Sequence, residues 1–85
     1  MNEQLATKTI DIVASVTGRT PEVLRTDATF DELGIDSLDR LNILFELESA
    51  FDIDIPDEEA RGIQTVKQIV ERVEAYVQRA QGEGA

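Results

Sequence analysis

Apolar residues recur at helical spacing in three stretches of this 85-residue chain, and that periodicity confines it to helical folds. The clearest stretch carries its own start signal. Thr65 and Gln68 form a capping box, and Val66, Ile69, Val70, Val73, Tyr76 and Val77 follow on one face. Near the N-terminus, Asn2 can cap a helix that bears Leu5, Ile12, Val13 and Val16 on one stripe, with Gly18 as its stop. Only Phe51-Asp52-Ile53-Asp54-Ile55 alternates as a strand would, and Pro56 with the flanking acids makes it a better connector. The expected fold is all-α. It is a small four-helix bundle with three longer helices and one short one, filling residues 1–80, ahead of a flexible tail from Gln81 to Ala85.

The middle stretch departs from the usual amphipathic pattern. A helix from Asp36 or Ser37 to about Phe51 has one polar stripe, Asp39, Asn42, Glu46 and Ser49. Leu38, Leu41, Ile43, Leu44, Phe45, Leu47, Ala50 and Phe51 occupy most of the remaining circumference, which exceeds a single core-facing stripe. Either the helix is central, or part of its apolar surface waits for a partner. Before it, Thr20-Pro21 reads as a cap and first helical residue for about one turn. A long loop from Arg25 to Asp36 comes next, pinned by Phe30, Leu33 and Ile35 and turned at Gly34. Long loops without structure of their own are often functional. After the middle helix, Pro56 opens a short acidic helix, Asp57-Glu58-Glu59-Ala60-Arg61, stopped at Gly62.

Composition then excludes whole classes of chemistry. The chain has no His, Cys or Trp, so histidine general bases, cysteine nucleophiles and Cys/His zinc sites are absent. A domain of this size buries only about 60% of its unfolded surface, too little for a deep catalytic cleft with a separate regulatory lobe. The net charge is −10, and its placement is uneven. From Asp27 to Glu59 there are 12 acidic residues and one basic residue, Arg40. Such a surface repels nucleic acid and anionic membranes and suits partners with basic patches. No run of apolar residues is long enough to span a bilayer, and the N-terminus lacks the basic and apolar regions of a signal peptide. With no cysteine to pair, a reducing, cytoplasmic setting is expected.

Few residues could carry a reaction. Asp52-Ile53-Asp54-Ile55-Pro56-Asp57 begins like a calcium loop, but Pro56 holds the third ligand position and Asp57 the place of the required glycine. Asp36 and Asp39 lack a pocket that would divide acid and base roles between them. Ser37 is left. A serine at a helix start is an ordinary cap, and Asp36 could share that task. Two features point further: the serine follows a long glycine-containing loop that projects it into solvent, and Ile35 and Leu38 flank it. A helix N-terminus favours an attached phosphate. No base is available to activate the hydroxyl, so any reaction at Ser37 must be performed by another protein.

Asp31-Glu32-Leu33-Gly34-Ile35-Asp36-Ser37-Leu38-Asp39, followed by Phe51-Asp52-Ile53-Asp54-Ile55-Pro56-Asp57-Glu58-Glu59-Ala60, resembles the acyl carrier protein family. The resemblance extends from the first helix to about Tyr76 and is strongest between Asp31 and Gly62. It implies that Ser37 is modified by a phosphopantetheinyl transferase using coenzyme A. Covalent 4′-phosphopantetheine then carries acyl groups as thioesters on its terminal thiol, for enzymes of fatty acid or specialised lipid biosynthesis. The loaded arm can fold back between the helices and swing out to a partner. The chain itself would be no enzyme, would bind no metal and would work as a monomer. Basic patches on acyl-transfer and elongation enzymes would meet Asp36, Leu38, Asp39, Arg40, Leu41, Phe45, Glu48 and Asp57.

Departures from the family bear on partner choice. Many housekeeping carriers have glutamate where this chain has Asn42, and a more acidic segment where it has Glu48-Ser49-Ala50. Arg40 adds a positive charge one turn beyond Ser37. The resemblance therefore implies a specialised carrier serving one dedicated pathway. Two other readings stand beside it. One is a peptidyl or aminoacyl carrier of the same fold; the other is an acidic adaptor that is never modified.

Overall fold

The capping box at the last helix is formed as its sequence demands. Gln68 N–H donates to Thr65 Oγ1 at 3.1 Å, and the Gln68 carboxamide oxygen accepts from the N–H groups of Thr65 (3.2 Å) and Gln64 (2.6 Å). In this computed structural model, which describes residues 3–25 and 27–83, α5 runs from that cap over Val66–Glu83. The other helices are α1 (Glu3–Thr17), α2 (Pro21–Leu24), α3 (Ser37–Phe51) and α4 (Asp57–Arg61). Three are long and two are about one turn. The Thr20-Pro21 signal thus forms a fifth helical element. Thr20 Oγ1 accepts from Val23 N–H at 3.5 Å, and Pro21 takes the first position, where its missing N–H costs nothing.

The core lies where α1, α3 and α5 meet. α1 packs against both of the others, and α3 touches α5 over a narrower contact. Val13, Ile43, Leu47, Val66 and Val73 are fully enclosed there, with Phe30 and Ile35 added from the loop. The stripe on α1 is rotated from the sequence expectation. Leu5, Thr9, Ile10 and Val13 are buried, whereas Ile12 and Val16 flank the core. Thr9 tolerates burial because its hydroxyl donates to the Leu5 carbonyl at 2.8 Å. Gly18 ends α1 at φ +71°. Asn2, the expected cap, lies outside the described residues.

α5 continues beyond Ala80 to Glu83, three residues into the segment expected as a tail. Extending an existing helix adds a hydrogen bond per residue without a new nucleation cost, and one glycine opposes this by only about 1 kcal/mol. Gly84 and Ala85 lie outside the described residues. Between α3 and α4 the chain forms a connector, as expected. Asp52 ends α3 in the left-handed conformation (φ 55°), and Ile55 tucks into the interior. Among the described residues there is no strand, only an isolated antiparallel bridge between Thr29 and Thr65. No helix among them is long and apolar enough to cross a membrane.

Candidate functional site at the start of the third helix

Ser37 is the first residue of α3 and does not cap it. The cap is Asp36: its backbone is extended, and its carboxylate Oδ1 accepts the Asp39 N–H at 2.8 Å. With that task filled by its neighbour, the Ser37 side chain stands exposed at the helix entrance.

The preceding loop fixes this position. Phe30 N–H donates to the Gln64 carbonyl at 2.8 Å, and Ile35 N–H returns to the Phe30 carbonyl at 2.9 Å. Burial of Phe30 and Ile35 anchors the turn between them, and the chain then emerges at Asp36 and Ser37. Arg19 braces the same turn from outside: its Nε and Nη2 donate to the Leu33 carbonyl at 3.0 and 2.7 Å. Gly34 suits that turn by its backbone, and a side chain there would press on the brace. Its φ is +73°, and a Cβ would sit 3.2 Å from the Arg19 guanidinium. Thr29 and Glu32 close the start of the turn. The Thr29 N–H and hydroxyl both donate to Glu32 Oε1, at 3.0 and 3.1 Å. These bonds from the Thr29 backbone and then its hydroxyl hold the Glu32 carboxyl below its ordinary pKa.

A cleft of about 360 Å³ opens beside Ser37, lined by Ser37, Arg40, Leu41, Leu44, Asp57, Ala60 and Arg61. Leu41, Leu44 and Ala60 give it apolar lining, and Arg40, Asp57 and Arg61 give it charged lining. α4, which forms one wall, buries none of its own side chains and is tied to α5 by the Glu59–Arg72 ion pair at 2.6 Å.

The surface residues expected to meet partners divide into two groups. Leu38 (66% exposed), Leu41 (45%) and Phe45 (58%) form an uncovered apolar strip along α3. Of the two possibilities for that helix, the second therefore holds: only Ile43 and Leu47 are buried on it. Asp36 and Asp57 are exposed beside the strip, and Asp39 is half-buried. Arg40 and Glu48 turn inward instead. Arg40 Nη2 donates to the Ile63 carbonyl, and its guanidinium lies 5.2 Å from the centre of the Phe30 ring. Glu48 Oε2 accepts the Ile55 N–H at 2.8 Å and so joins α3 to the connector. Arg19 and Arg61 had no signal in the sequence: one braces the loop, and the other faces the cleft with no partner among the described residues. A single polar residue carries no periodicity that would mark such a role.

The fit to an attached 4′-phosphopantetheine is good on geometry alone. An exposed hydroxyl at a helix N-terminus favours the phosphate, and an adjoining cleft can receive what the arm carries. Comparisons with known proteins agree. A family model described as a phosphopantetheine attachment site matches residues 8–73. An acyl carrier protein of Chlorobium phaeobacteroides is 39% identical over 71 residues, covering 82% of this chain and 91% of that one. One from Syntrophobacter fumaroxidans is 46% identical over 63 residues, covering 73% and 78%. The crystal structure of an acyl carrier protein from Thermotoga maritima superimposes with a TM-score of 0.74 at 30% identity, covering 92% of each chain. With the helices and the entrance to α3 arranged as they are, this chain belongs to the acyl carrier protein family: it is a carrier with covalent 4′-phosphopantetheine and not a catalyst.

Proposed function

We propose that Ser37 is the attachment residue and that the chain presents thioester-bound acyl groups to enzymes of fatty acid or specialised lipid biosynthesis. The observation that carries this is the division of labour at the start of α3. Asp36 caps the helix, which leaves the Ser37 hydroxyl exposed at the mouth of the cleft. In the modification, Ser37 Oγ forms a bond to the pantetheine phosphorus of coenzyme A. The bond from that phosphorus to the leaving adenosine 3′,5′-bisphosphate breaks. The hydroxyl proton passes to a base of the transferase, because this chain has no histidine to take it.

Partner enzymes dock on the strip of Leu38, Leu41 and Phe45, guided by Asp36, Asp39 and Asp57. Apolar contact supplies affinity there, and the acidic surround speeds encounter with basic patches. Arg40 and Glu48, engaged internally, take a smaller part. The protein acts as a monomer in the cytoplasm, where coenzyme A is at hand. The test is acyl loading. Holo wild type given an acyl group by an acyl transferase gains one acyl mass that hydroxylamine removes, and Ser37→Ala gains none. An acyl mass retained by Ser37→Ala overturns the assignment.

A further inference from the structure

Arg40 lines three separate spaces. The first is the 360 Å³ cleft at Ser37. The second is a void of about 10 Å³ in the core between Phe30, Leu44, Ala60, Ile63 and Ile69. The third is a cavity of about 180 Å³ on the loop side, bounded by Thr29, Phe30, Asp31, Arg61 and Gln64. Arg40 is common to all three, and no other described residue is. It shares the boundary between cleft and core void with Leu44 and Ala60, and that between cleft and loop side with Arg61; its own guanidinium is latched to the Ile63 carbonyl and seated over the Phe30 ring. The wall opposite, α4, has no buried side chain to limit the cleft.

We propose that Arg40 determines acyl-chain specificity: it closes the inner end of the cleft and limits the length of acyl chain the protein can shield. The inference rests on the arm being attached at Ser37. An acyl group tethered there finds apolar lining in Leu41, Leu44 and Ala60, so its first methylenes leave water favourably. A longer chain meets the charged end of Arg40. To go deeper it must displace the guanidinium, which strips Ile63 of its hydrogen-bond donor and leaves a charge against apolar walls. Short acyl groups are therefore sheltered throughout, and the distal part of long ones stays in solvent. Without the guanidinium, the cleft would deepen past Leu44 and Ala60 toward Phe30, Ile63 and Ile69.

The test is the rate of thioester loss to hydroxylamine from holo protein loaded with saturated acyl groups of rising length, from butyryl to lauroyl. Burial of each added methylene slows the loss by up to about fourfold while the cleft has room. In the wild type that protection levels off at the shorter members of the series. In Arg40→Met, which keeps the apolar stem, and in Arg40→Ala, it continues to rise toward lauroyl. Thermal melts of both apo variants check that the bundle is intact, and Arg40→Met serves where Arg40→Ala is too unstable. Equal length profiles in wild type and Arg40→Met, with the loaded mass verified, overturn the length limit and leave attachment at Ser37 untouched. Failure to load at Ser37 overturns the attachment and the length limit together.

Discussion

Asp36 is the residue whose replacement should disturb Ser37 most without touching it. Its carboxylate accepts the Asp39 N–H at 2.8 Å, and its negative charge lies at the positive end of α3. Loss of an N-cap costs about 0.5–2 kcal/mol, and loss of a charge at an exposed helix start about 0.3–1 kcal/mol. Asp36→Ala removes both. The surrounding acidic residues repel Asp36, which offsets part of the charge contribution, so about 1 kcal/mol is the expected net loss. For a domain of this length that lowers Tm by about 4–8 °C. Asp36→Asn retains an acceptor at the same position and should stay within about 2–4 °C of the wild type, on half the loss or less. There is also a chemical consequence. With Asp36 gone, the Ser37 hydroxyl is the nearest side-chain acceptor for the first turn, and the helix can begin one residue later with Ser37 as its cap. Modification by a phosphopantetheinyl transferase should then slow in Asp36→Ala more than in Asp36→Asn. Paired thermal melts and a time course of intact mass measure the two effects. Equal melting temperatures for the Ala and Asn variants would falsify the capping role. A wild-type modification rate in Asp36→Ala would show that the hydroxyl needs no release from capping.

Other perturbations follow from the same geometry. Leu47 is fully buried (0% exposed), so Leu47→Ala should lose about 2–5 kcal/mol in a urea titration, and a loss under 1 kcal/mol would contradict its central place. The acidic excess between Asp27 and Glu59 should make the apo protein melt higher as salt rises, since charges are screened beyond ~10 Å at 0.1 M; a flat or falling Tm would show that the acids do not destabilise one another. Glu32 has its pKa lowered from 4.5, so its contribution is present above the unfolded value and is lost as pH falls through the folded one. An NMR titration of Glu32 should give a midpoint below 4.5 that returns toward it in Thr29→Ala, and an ordinary midpoint in the wild type would contradict the bond.

What could be read in the sequence was what local chemistry decides. The Thr65–Gln68 box and the Thr20-Pro21 turn act through neighbours within four residues, the glycine at position 34 acts through its own positive φ, and each forms as expected. Ser37 stood out for the same reason, through its place in a loop–helix junction. Tertiary choices were not legible. Periodicity put Ile12 and Val16 on the α1 stripe, yet packing against two helices selects Thr9 and Ile10, and the threonine is satisfied by a backbone carbonyl that no pattern of apolar residues reveals. The excess apolar surface of α3 was visible, but only the position of α1 and α5 decides that Leu38, Leu41 and Phe45 are the uncovered part. Arg40 shows the limit most clearly. As a letter it is a positive charge on a helix expected to meet partners, whereas in the fold its long stem carries the guanidinium back to Ile63 and Phe30.

Fragmentation mass spectrometry of the modified protein tests attachment most directly. The chain has three serines, Ser15, Ser37 and Ser49, and all three are exposed, so accessibility alone does not choose among them. After incubation with coenzyme A and a phosphopantetheinyl transferase, one phosphopantetheine should be found, and only on the peptide containing Ser37. Modification on the peptide of Ser15 or Ser49, or no modification under conditions that convert a known acyl carrier protein, would contradict it.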